Sequence, residues 1–149
     1  RLSVPVPDVE KEVMFWCEAI GMQRYADLPG GGAIVAFGPP QLGSGESDEG
    51  AFFGLELLPA ATSSGSVAAA PSDTSSRLSF VQVATPSLIR ISKVVASGGE
   101  LLDGYGYYNI RSPSGVDVRA YVDDRRDPVE LVAVAANEGA GTQALDREL

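Results

Sequence analysis

The tripeptide Arg-Leu-Ser occurs twice in the chain, at Arg1 to Ser3 and at Arg77 to Ser79, and each copy opens a segment with the same grammar. Each leads into a short run of strand-forming residues (LSVPV from Leu2, LSFVQV from Leu78), then a turn residue, a helix that ends in glycine, and further strands. Such a repeat predicts a duplicated β-α-β-β-β unit and therefore an α+β fold.

In the first half Asp8 follows Pro7 and precedes VEKEVMFWCEAIG, where Val9, Val13, Trp16 and Ile20 recur at helical spacing before Gly21, a C-terminal cap. MQRYADL, AIVAFG and AFFGLELL then read as three strands, separated by the turn Gly30-Gly31-Gly32 and a polar loop from Pro39 to Gly50. The stretch 59–76 is small, polar and almost free of bulky apolar groups, as expected of a flexible linker that joins the halves without interlocking them. After LSFVQVAT the second half places Pro86 at a first helical position, followed by SLIRISKVVAS with Leu88, Ile91 and Val95 facing inward and Gly98-Gly99 closing the helix. ELLDGY, YYNIRS and VDVRAYVDD follow as strands, the last two divided by the turn Ser112-Pro113-Ser114-Gly115, and PVELVAVAAN is strand-like as well. The expected organisation is a first module over 1–58, the linker over 59–76, a second module over 77–124, and an extra strand-like segment with a polar tail over 125–149.

A chain of 149 residues is long enough to bury a core without disulfides or a structural metal, and no apolar run approaches the roughly 20 residues that span a bilayer. A soluble domain is expected. The net charge of −9, with no compensating Lys/Arg cluster, argues against nucleic acid and anionic membranes as partners. Cys17 is the single cysteine and cannot form an internal disulfide. The sequence starts at Arg1, inside an apparent strand and without Met, so processing or trimming upstream, including loss of a targeting peptide, is an expectation.

The segment DVEKEVMFWCEAIGMQRYADLPGGGAIVAFGPPQ, followed by FFGLELLPA, resembles the first module of glyoxalase I and the wider vicinal oxygen chelate superfamily. The Asp-led helix, the pair Phe15-Trp16 and the sequence Ile20-Gly21-Met22 carry that resemblance. In the second half VVASGGELL and SPSGVDVRAYVDD resemble the closing elements of the family's module, with Ser112 and Ser114 where acids are usual. The resemblance implies paired βαβββ modules with curved mixed sheets around a cleft. It also implies a divalent metal held by His, Gln or Glu from the first and last strands of each module. Carried over to this sequence, those positions are Arg1, Glu56, Arg77 and Arg119.

A guanidinium stays protonated and has no lone pair to give a cation, so three arginines cannot make a metal site. The chain has no histidine either, and only Glu56 is a plausible ligand. Glu130, in DPVEL, is the one further acid whose context resembles a ligand motif. No metal or other cofactor is therefore expected. The favoured reading is a non-catalytic glyoxalase-like domain that serves as a binding or structural subunit, with a protein partner, a second copy of itself or a small anion at Arg1, Glu56, Arg77 and Arg119. The alternative is a metal-dependent lyase or isomerase on a glutathione hemithioacetal, with Glu56 as base. The resemblance runs closest to plant and algal glyoxalase-like proteins in which a module has lost its ligands, which implies an organelle, a plastid before a mitochondrion, as the location.

Each of these residues also has a plainer reading. Glu56, between Leu55 and Leu57, projects from the opposite face of its strand and is either solvated or paired with an arginine across the sheet. Arg77 and Arg119 face outward if their register differs by one. Phe15 and Trp16 are expected in the core, Cys17 as an inert thiol, and the triple glycine as a turn and not a phosphate loop. Tyr105, Tyr107 and Tyr108 read as alternating along a strand, lining the cleft or packing.

Overall fold

The computed structural model describes residues 1–40, 50–60 and 77–135. Strand β1 (Leu2–Val6) leads to helix α1 (Val9–Met14), which runs directly into a π-helical segment, Phe15–Ile20. Strands β2 (Gln23–Leu28), β3 (Gly32–Ala36) and β4 (Gly54–Pro59) complete the first half. The second half contains β5 (Arg77–Thr85), α2 (Ile91–Ala96), β6 (Glu100–Gly104), β7 (Tyr108–Arg111) and β8 (Asp117–Val122), followed by β9 (Val129–Ala135).

The first sheet has the order β1-β4-β3-β2 and the second β6-β7-β8-β5-β9, so β5, β8, β7 and β6 repeat the arrangement of β1, β4, β3 and β2. In both sheets the first and last strands of the unit run parallel and the others antiparallel. The duplication read from Arg-Leu-Ser is thus present as topology, and the fold is α+β with mixed sheets. β9 lies antiparallel on the edge of β5. Pro59 closes β4 and so belongs to a strand, while 61–76, most of the predicted linker, and the tail from 136 fall outside the described residues.

Asp8 caps α1 by accepting the Lys11 N–H at 3.2 Å. At the other end Gly21 takes the left-handed conformation (φ 102°) and donates its N–H to the Trp16 carbonyl at 3.1 Å, an i to i−5 bond that marks the widened turn. Val9, Val13, Trp16 and Ile20 are buried as the periodicity predicts, and the π segment also turns Phe15 and Ala19 inward. This helix packs on β3 and β4 and touches α2, so it has apolar contacts toward both halves. One apolar cluster consequently runs from Val4, Val35 and Leu55 through Phe15 and Trp16 to Val81, Val94 and Val118. The halves are joined by a shared core as well as by a connecting segment.

The second helix corrects the sequence reading. It begins at Ile91, with Arg90 extended, and Pro86 sits in a bend five residues earlier. The buried Thr85 hydroxyl donates to the Ser87 carbonyl at 2.8 Å, engaging the acceptor that a helix starting at Pro86 would use in its first turn. The inward positions are Val94 and Ser97, with Ile91 half-buried, whereas Leu88 and Val95 are exposed. Gly98 closes the helix as expected, with φ 86° and an N–H bond to Val95. Tyr105 and Tyr107 are likewise not in a strand: both lie in the β6–β7 turn, and Tyr105 is 91% exposed, while Tyr108 opens β7.

Candidate functional site

Leu55 and Leu57 point into the core and leave Glu56 on the other face of β4, with Ser3 of β1 and Ile34 of β3 as its register partners. Arg1 reaches across from the start of β1 and places Nε 3.0 Å from Glu56 Oε2. The pair is partly shielded, Glu56 more than Arg1. Two of the four positions singled out in the sequence are therefore brought together, as an ion pair.

Arg119 lies between Asn109 of β7 and Gln82 of β5 in register. Its Nε donates to Asn109 Oδ1 at 3.0 Å, and its guanidinium carbon is 4.8 Å from the Tyr107 ring centre and 5.9 Å from that of Phe80. Two aromatic rings and an amide thus hold the cation in place, an arrangement suited to a planar guanidinium and not to a metal ligand. Ser3, two residues after Arg1, faces Glu56, whereas Gln82, five residues after Arg77, faces Arg119. The repeated tripeptide therefore marks the start of both strands, but β5 is longer, with 9 residues against 5, and the two halves are offset along it. Arg77 opposes Ala135 of β9 through its backbone; its side chain falls outside the described residues.

Glu130, the further candidate ligand, is already engaged. Its Oε2 accepts hydrogen bonds from the Tyr121 hydroxyl and, at 2.6 Å, from Gln82 Nε2, while Oε1 lies 3.2 Å from an Arg125 nitrogen. These hydrogen bonds, Tyr121's first, hold the carboxyl below the usual range, and the same bond raises the Tyr121 phenol. Tyr121→Phe is expected to move the Glu130 titration back up, read by carboxyl-carbon NMR; an unchanged midpoint would show that the bond does not form in solution. Cys17 is half-buried, and desolvation, assisted by Glu18, raises its thiol above the ordinary value, so the thiolate needed for nucleophilic attack is disfavoured.

The donor set for a divalent cation is poor. Among the described residues no three His, Cys, Asp or Glu side chains come together, Glu56 is paired with Arg1, and Glu130 is bound by its neighbours. The residues present do not fit the metal that the resemblance implies.

Reading the sequence did not pick out Glu12. It is 1% exposed and accepts hydrogen bonds from Trp16 Nε1 at 2.9 Å and from the Ser114 N–H, tying α1 to the β7–β8 turn of the other half. The available signal was its place on the inward arc between Val9 and Trp16, where a carboxylate has to find donors. Asn109, Phe80 and Gln82 were also missed, because cross-strand neighbours are set by register.

Two mixed sheets built from repeated βαβββ units, with the first helix packed against the core, make this the vicinal oxygen chelate fold, that of glyoxalase I. The structure superimposes, over 89% of its length, on 48% of a point mutant of glyoxalase I from Zea mays, with a TM-score of 0.62 and 16% identity. Wild-type glyoxalase I from Zea mays is similar over 85% of this chain and 45% of that one (TM-score 0.58, 17% identity). A glyoxalase-related enzyme from Fulvimarina pelagi matches 89% of this chain and 96% of its own, with a TM-score of 0.51 and 16% identity. The chain spans about half the length of the maize structures it matches. No family model and no curated protein sequence matches it. No described helix is long and apolar enough to cross a membrane.

Proposed function

We propose that this chain is a non-catalytic glyoxalase-like domain that acts as a binding or structural subunit of a larger assembly. The observation that carries this reading is the ion pair between Arg1 and Glu56, 3.0 Å from nitrogen to oxygen. It neutralises the one carboxylate at a position that the resemblance assigns to a metal ligand. Arg119, at another such position, presents a cation held by Tyr107, Phe80 and Asn109. Positions occupied in this way repel a divalent ion and favour carboxylates, whether of a partner's side chain or of a small molecule.

The test is metal content by mass spectrometry of purified, metal-reconstituted protein, together with lactoylglutathione formation from methylglyoxal and glutathione. Substoichiometric metal and no turnover above the uncatalysed rate are expected. One tightly held divalent ion per chain, or turnover lost in Glu56→Gln, would overturn the reading in favour of a lyase with Glu56 as its base.

A further inference from the structure

A cavity of about 460 Å³ opens where the two halves meet, and none of its lining residues belongs to the set Arg1, Glu56, Arg77 and Arg119. Its volume lies within the range of small-molecule sites, which favour junctions between structural units. On the side of the first half it is lined by Phe37, Phe52 and the end of the π segment. The Phe52 ring lies so close over Gly38 that a Cβ there would come within 2.2 Å of it, so the absence of a side chain at Gly38 lets the ring lie where it does. Pro86, Leu88, Ile89 and Pro128 supply the facing apolar wall from the second half.

That wall is held in place. The Asp127 carboxylate accepts the Phe53 N–H at 2.9 Å and the Val129 N–H at 3.1 Å, clamping the β8–β9 connection onto the first half. Backbone bonds from Ala84 to Pro128 and from Asp123 to Thr85, 2.8 and 3.0 Å, fix the ends of the same connection. The late start of α2 leaves Leu88 at the cavity with 62% of its surface exposed.

The charge at this site opposes that of the chain. Arg90, Lys93, Arg125 and Arg126 line the cavity against Glu18 and Asp124, a surplus of two positive charges (4 − 2) in a protein of net charge −9. Lys93 is paired with Glu18 at 3.2 Å, and Arg125 with Glu130 at 3.2 Å and more loosely with Asp123 at 3.7 Å. Among the described residues Arg90 and Arg126 form no ion pair.

We propose that this cavity binds a small aromatic carboxylate, its ring packed against Phe37, Phe52 and Leu88 and its carboxylate on Arg90 and Arg126. Flat rings gain from offset or edge-on contact with phenylalanine, and guanidinium groups take a carboxylate through paired N–H donors.

Naphthoate serves as the probe, titrated into the whole chain and followed by amide NMR, with naphthalenemethanol as its uncharged counterpart. Saturable shifts at Phe52, Leu88 and Arg90 are expected, with naphthoate binding about tenfold tighter than the alcohol, the factor that one charge-assisted hydrogen bond provides. The exposed double variant Arg90→Gln/Arg126→Gln should lose that preference, and Leu88→Glu should weaken both probes, naphthoate more than the alcohol because the new carboxylate also repels it. Equal binding of the two probes, an unchanged preference in the double variant, or shifts centred on Arg1 and Arg119 would each overturn the proposal. The cavity is separate from the Arg1–Glu56 pair, so any of these results leaves the non-catalytic reading standing.

Discussion

Replacing Trp16 with alanine is expected to lower the unfolding free energy by about 3–5 kcal/mol, the usual cost of removing a buried tryptophan. The side chain is 1% exposed and meets Phe15 edge to face, with ring centres 5.3 Å apart and planes at 89°. It belongs to the apolar cluster shared by both sheets, so the cavity left behind opens in the middle of the molecule. Its loss also takes the indole N–H away from Glu12, a carboxylate with almost no access to water. Urea unfolding followed by circular dichroism measures the change. A loss below about 1 kcal/mol would mean that the helix does not sit between the two halves as described.

Glu12→Ala is expected to cost roughly 2–4 kcal/mol, because it leaves the buried indole of Trp16 and the part-buried Ser114 amide without their acceptor. Glu12→Gln should recover only part of this: one amide oxygen still accepts, but the amide nitrogen then faces a donor. The distinguishing readout is hydrogen exchange at the Ser114 amide. It should accelerate in Glu12→Ala beyond the loss of global stability, since the bond ties the β7–β8 turn to α1. Exchange that follows global stability alone would show that the carboxylate does not hold that turn.

The elements were legible wherever a short-range rule decides them. Hydrophobic spacing found α1 and the π segment that continues it, with buried Val9, Val13, Trp16 and Ile20, and Gly21 marked their end because a left-handed residue is needed there. Gly30 and Gly31 form the turn read there, with Gly32 already opening β3, and the Ser112 to Gly115 turn fell where read. Alternation placed Glu56 opposite Leu55 and Leu57, and of the two readings open for it, solvated or paired with an arginine, the structure has the pair. The second helix failed under the same rule. Pro86 and the spacing of Leu88, Ile91 and Val95 resemble a helix start, but Thr85 is buried and its hydroxyl engages the Ser87 carbonyl. That burial is a tertiary fact, invisible in the local sequence.

The candidate site shows the same division. The resemblance assigns Arg1, Arg77 and Arg119 to metal-ligand positions, and a guanidinium there cannot ligate a cation whatever its surroundings. Which arginine meets which partner does depend on them. Arg1 pairs with Glu56 across two parallel strands, while Arg119 is held by Tyr107, Phe80 and Asn109 from other strands. By itself the sequence determined the repeated βαβββ unit, the first helix and the lack of histidine, because periodicity, turn chemistry and composition are local properties. Only the tertiary structure decided the offset of β5, the burial of Glu12 between the halves and the basic cavity at their junction, because register and packing join residues that are remote in the chain.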